Sequence, residues 1–147
     1  MKTILSAILV MASTISFGQK IKENQVSQAI KSKFTSAYPQ AKNVKWEKEK
    51  GNIEAEFSMN GITNSVVFDS NANILEKETE IKIDQLPNEA KAYVTKNYPG
   101  QKIKEAAKMV DAKNVIKFEA EIKGADLIFD ANGKFIKKVI EKEDKED

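Results

Sequence analysis

Apolar residues fall at Val26, Ala29, Ile30, Phe34 and Ala37 in one stretch and at Leu86, Ala90, Tyr93 and Val94 in another. Both sets keep the i, i+3, i+4 spacing of an amphipathic helix. Each stretch is closed by a Tyr-Pro pair, Tyr38-Pro39 and Tyr98-Pro99. A proline disfavours helical backbone at the residue before it, so both helices are predicted to stop near the tyrosine. Pro87 suits the first turn of the second helix, where its missing N–H costs no bond. Beyond each Tyr-Pro the period drops to 2. "NIEAEFSM" sets Ile53, Ala55, Phe57 and Met59 against Glu54, Glu56 and Ser58, and "VIKFEAEI" sets Ile116, Phe118, Ala120 and Ile122 against Lys117, Glu119 and Glu121. Alternation of this kind marks a half-buried strand. Turn signals follow at Asn60-Gly61 and Lys123-Gly124. Next come "TNSVVFDSNANIL" and "ADLIFDANGKFI", with Asp69 and Asp130 in matching places, and a closing strand near Leu75 to Glu80 and Phe135 to Ile140.

The chain therefore reads as an internal duplication. The expected fold class is α+β, a tandem repeat of one helix packed on a four-stranded antiparallel sheet. A sheet with one apolar face needs a cover, and a helix supplies it. The expected organisation is a signal peptide over residues 1–18, a first repeat over 19–82, a second over 83–140 and a charged tail over 141–147. The signal reading rests on one early lysine, an apolar run from Ile4 to Ala12 and then small and polar residues. That run is short against the roughly 20 residues of a membrane span. No cysteine follows to carry a lipid, so no stable membrane anchor is expected after cleavage.

Turn lengths predict which side chains share a face. A two-residue turn at Asn60-Gly61 sets Ala55 against Val66 and Ile53 against Phe68 on the core side. The same turn sets Glu54 against Val67 and Glu56 against Ser65 on the outer side. A two-residue turn at Lys50-Gly51 or Gly51-Asn52 keeps Trp46 in the core and brings Glu47 beside Glu54 or Glu56. In the second half, the Lys123-Gly124 turn sets Glu121 against Asp126 and leaves Glu119 and Ile128 on the outer face. Like charges placed opposite each other are mildly destabilising. The outer face thus offers Glu47, Glu54, Glu56, Val67, Glu119, Glu121, Asp126 and Ile128 as candidate partner-binding residues. The plainer alternative is a solvated face whose carboxylates are neutralised by Lys45, Lys117 and Lys137.

Composition narrows the chemistry. Among 147 residues there is no His and no Cys, and all 24 basic residues are lysine, giving a formal net charge of +2. Zinc sites almost always need Cys or His, and Ser-His-Asp or Cys-His catalysis requires them. Nucleic-acid binding is disfavoured without the arginine fork and without a basic surplus. Two decoys arise. Asp69, Asn71, Asn73 and Glu80 occupy positions 1, 3, 5 and 12 of a calcium loop, but Ile74 stands where its glycine belongs, and the flanks read as strands. Both Asp69 and Asp130 therefore read as turn residues bonding their own backbone. Ser27 and Lys31 have the spacing of a Ser-Lys pair, yet nothing else of a nucleophile site accompanies them. No catalytic residue, cofactor or metal site is expected, and the protein is not expected to be an enzyme.

The order of a "LPNEAKAYVTKNYPGQKI" module, an alternating-glutamate strand and a "FD" turn, with "YPQAKNVKWEKEKGNIEAEFSMNG" in the first half, resembles the β-lactamase-inhibitor-like, PepSY-like family over about residues 24 to 140. The resemblance implies an exported protein, periplasmic or secreted, with tandem helix-and-sheet modules. The expected role is interaction, with the open sheet face, or loops at its edge, binding a protein partner; the resemblance to inhibitor-like modules implies a hydrolase as the partner class. The alternative is an envelope protein that binds a cation or small ligand through its carboxylates. The sequence leaves the oligomeric state open.

Overall fold

The computed structural model describes residues 18–140; the acidic tail and all but the last residue of the expected signal segment lie outside them. Strand β1 (Gln19–Ile21) leads through a short 3-10 turn to helix α1 (Gln28–Ala37), followed by β2 (Lys42–Glu49), β3 (Asn52–Met59), β4 (Ile62–Phe68) and β5 (Ile74–Ile81). A second 3-10 turn leads to α2 (Asn88–Asn97), then β6 (Glu105–Asp111), β7 (Ile116–Ile122), β8 (Ala125–Asp130) and β9 (Phe135–Ile140). Both helices end where the prolines require, with Tyr38 and Tyr98 as their C-caps. Ser27 caps α1 by accepting a hydrogen bond from the Ile30 amide, and Pro87 stands at the N-cap of α2.

The sheet corrects the expected fold class. The protein is not an α+β tandem of one helix on a four-stranded sheet repeated twice. Among the described residues, nine strands form a single antiparallel sheet in the order β1 to β9, with two helices laid on one side. The join is β5 against β6, paired from Glu76 opposite Asp111 to Ile81 opposite Ala106. An open strand edge carries unpaired N–H and C=O groups. Joining the closing strand of the first half to the opening strand of the second satisfies both edges at once. Strand β1, a further addition to the expected set, lengthens the other end by pairing with β2.

The helices divide the apolar face between two clusters. Under α1, Phe34 meets Trp46 and Phe57 edge-on at 5.2 and 5.1 Å between ring centres, above Ala55, Val66 and Phe68. Under α2, Ala90 and Val94 pack on Ala106, Ala120, Leu127 and Phe129, while Tyr93 stacks on Phe135 at 4.6 Å. Trp46 is buried, as the short β2–β3 turn predicts. That turn is Lys50-Gly51, both residues with positive φ, joining Glu49 to its partner Asn52. The predicted registers hold: Ala55 faces Val66, Ile53 faces Phe68, and Glu121 faces Asp126.

Candidate functional site

With helices on one side, the other side of the sheet is open, and register defines what it displays. One row runs Glu47, Glu54, Val67, Glu76 and Asp111 across β2 to β6. The next runs Lys45, Glu56, Ser65, Glu78, Met109, Lys117 and Asp130 across β2 to β8. A third runs Glu80, Ala107, Glu119, Ile128 and Lys137, and a fourth Glu105, Glu121, Asp126 and Val139. All eight residues singled out from the sequence therefore stand on this one face.

The face is concave. A hollow of about 210 Å³ lies over β3 to β7, and Glu54, Glu56, Glu78, Glu80, Glu105, Glu119 and Glu121 contribute to its lining. Of the expected residues, Glu54, Glu56, Glu119 and Glu121 line it, whereas Glu47, Val67, Asp126 and Ile128 surround it. Two apolar residues of this face are nonetheless buried. Ile128 is only 3% accessible and Ala107 6%, although both belong to the open face. Ile128 is thus a buried residue beside the hollow, not an exposed apolar contact.

Crowded carboxylates raise each other's proton affinity. Burial pushes Glu119 up to about 8, and the charges of Glu78, Asp126, Glu121 and Glu76 add to the effect. Burial pushes Glu78 up to about 7, aided by Glu54, Glu76 and Asp126. Glu54 is raised as well, again mainly by burial, against a hydrogen bond from the Ser65 hydroxyl that favours its anion. Lysines relieve only the margin: Lys45 bonds Glu56 at 2.8 Å and Lys104 bonds Glu121 at 3.0 Å. Among the described residues no group of three or more carboxylates is placed to hold a metal ion.

The central residues Glu76, Glu78, Glu80 and Glu105 lie outside the set expected from sequence. The signal was present in "ILEKETEI", where three glutamates alternate with period 2. Their importance arises from the β5–β6 join, which moves an expected sheet edge to the middle of the face. The calcium-loop decoy resolves as a turn: the Asp69 carboxylate accepts from the Asn71 and Asn73 amides and from Asn73 Nδ2. Asp130 makes the same backbone pattern with Asn132 and Lys134. Ser27 is occupied as a helix cap.

A family model described as "Putative beta-lactamase-inhibitor-like, PepSY-like" matches residues 14–76 and 51–137. No curated protein matches the chain. Among solved structures, a BLIP-like protein from Bacteroides fragilis is 27% identical, with 80% of this chain and 89% of that one covered and a TM-score of 0.61. A domain-of-unknown-function family protein from Bacteroides uniformis is 20% identical, with 78% and 89% covered and a TM-score of 0.67. A protein from Bacteroides eggerthii described as among "putative periplasmic proteins" is 15% identical, with 78% and 88% covered and a TM-score of 0.68.

Proposed function

We propose, from the fact that this chain belongs to the β-lactamase-inhibitor-like, PepSY-like family, that it is an exported, non-enzymatic binding protein. It holds a protein partner on the concave face of its sheet. The observation that carries this reading is the asymmetry of the sheet. Two helices cover one side, and the other presents a hollow ringed by carboxylates with half-buried apolar residues such as Val67 and Met109 among them. A surface of one sign steers a partner of the opposite sign and suppresses others. The partner surface that fits is therefore basic, with an apolar centre. A hydrolase is the partner class suggested by the family's description, and the cell envelope is the compartment suggested by the leader-like start and by the periplasmic description of one structural relative. No described helix is long and apolar enough to cross a membrane.

The test is comparative capture from native envelope and culture-supernatant extract. The chain is set beside a face variant carrying Glu54→Lys, Glu56→Lys, Glu121→Lys and Asp126→Lys, and beside a helix-side control carrying Lys31→Glu and Lys96→Glu. A protein retained by the chain and the control, and lost by the face variant with its fold intact by circular dichroism, is the expected outcome. Equal retention by the face variant would remove the concave face from the proposal.

A further inference from the structure

The open face gathers more carboxylates than its surroundings can hold as anions. Glu78 stands on β5 between Ser65 of β4 and Met109 of β6. The titratable groups acting on it are Glu54 from β3, Glu76 from its own strand and Asp126 from β8. Glu119 stands on β7 between Ala107 of β6 and Ile128 of β8. It feels Glu78 and Glu76 from β5, Asp126 from β8 and Glu121 from its own strand. The cations nearest in register are Lys117, opposite Met109, and Lys137, opposite Ile128. Among the described residues neither Glu78 nor Glu119 has an ion pair, and the lysines that do pair across the sheet, Lys45 and Lys104, bond Glu56 and Glu121 instead. The cross-strand neighbours of Glu119, Ala107 and Ile128, are apolar and buried.

Two carboxyls without an ion pair, each close to further carboxylates, favour the state with protons on both. We infer that the centre of the concave face is a proton-linked switch. Glu78 and Glu119 are neutral acids under mildly acidic conditions. As pH rises each releases its proton to water, and the centre of the face passes from uncharged to doubly anionic. The use of the switch rests on the proposed binding role: a basic partner would be held more tightly at the higher pH and let go on acidification. The switch itself needs no partner.

It is tested on the chain alone by following the glutamate side-chain carboxyl carbons by NMR from about pH 4 to about pH 10, assigned through bonds in the unsubstituted protein. Two resonances, those of Glu78 and Glu119, are expected to titrate around neutrality or above, with midpoints of about 7 and about 8. In Glu78→Gln the Glu119 midpoint falls, because one neighbouring charge is gone; unchanged titration of Glu119 would uncouple the pair and overturn a shared switch. If every glutamate titrates in its ordinary range near pH 4 to 5, roughly the free side chain's value, the inference fails outright. Ordinary titration alongside partner capture through the face would sink the switch and leave the binding role standing. Shifted titration with capture indifferent to the face variant would do the reverse.

Discussion

At the scale of single residues, two kinds of carboxylate pull stability in opposite directions with pH. Asp69 and Asp111 each anchor a tight loop; bonds from the Asn73 side-chain amide and then the Asn73 and Asn71 backbone N–H groups hold Asp69 below its ordinary value, and the Val115 and Lys113 N–H groups do so for Asp111. A lowered carboxyl contributes stability above its unfolded value, and that contribution is lost as acid protonates it. Glu54, Glu78 and Glu119 are raised, so the folded state binds more protons than the unfolded chain between about pH 4.5 and the folded values. Their contribution is complete in acid and declines as pH rises through about 7 and about 8. The two trends leave a stability maximum in mildly acidic solution. Chemical denaturation across pH should show stability falling by a few kcal/mol, to order of magnitude, between about pH 5 and about pH 9, with a second, separate fall in strong acid. The alkaline fall should shrink in Glu119→Gln. A profile flat from pH 5 to 9 would contradict the crowding described for the face.

At the scale of elements, the loops after β4, β6 and β8 share one design. In each the leading aspartate bonds the amides two and four residues on, and its backbone N–H donates to the carbonyl four residues on. The fourth residue takes positive φ: Ala72, Asn114 and Gly133. Gly133 is the demanding case. A Cβ there would come within 2.8 Å of the Ala90 amide nitrogen and 2.8 Å of Pro87 Cβ, on a backbone with φ of +87°. The β8–β9 loop is thereby seated against the first turn of α2. Gly133→Ala is expected to cost at least about 2 kcal/mol, since left-handed backbone alone costs about 1–2 kcal/mol for a residue with a Cβ. Gly61→Ala, in open space with φ of +77°, should cost only that backbone share. Urea denaturation of the two variants gives the comparison, and equal losses would mean that the α2 contact does not matter. Much of this scale was legible in the sequence. Asn60-Gly61 and Lys123-Gly124 fixed registers, because a two-residue turn determines which side chains face each other. Tyr-Pro fixed the helix ends. The Asp111 loop was not anticipated, because "DAKNV" has Lys113 where its two counterparts place Asn71 and Asn132, two residues after the aspartate. The burial of Ile128 was not legible either: alternation put it on the outer face, yet it is only 3% accessible.

At the scale of the molecule, the consequential feature is the β5–β6 join, on which local pattern is silent. An edge strand and an internal strand carry the same alternation, so Glu76, Glu78 and Glu80 look alike in either setting. The join matters because the two apolar clusters share no residue. A half of roughly 60 residues buries too little surface to be more than marginal on its own. Six residue pairs along β5 and β6 instead let each half support the other. Phe57 provides the test, being 2% exposed and ringed by Phe34 and Tyr38 in the first cluster. Phe57→Ala should cost about 3–5 kcal/mol, as truncating a buried phenylalanine generally does. If the sheet unfolds as one body, hydrogen exchange in the variant will accelerate as much at the buried amides of β7 and β8, across the join, as at those of β3 and β4. Heating or denaturant will then give one transition by every probe. Acceleration confined to β2–β4 and α1 would show the halves opening separately. In that case the hollow, whose lining comes from both sides of the join, would not survive as a preformed surface.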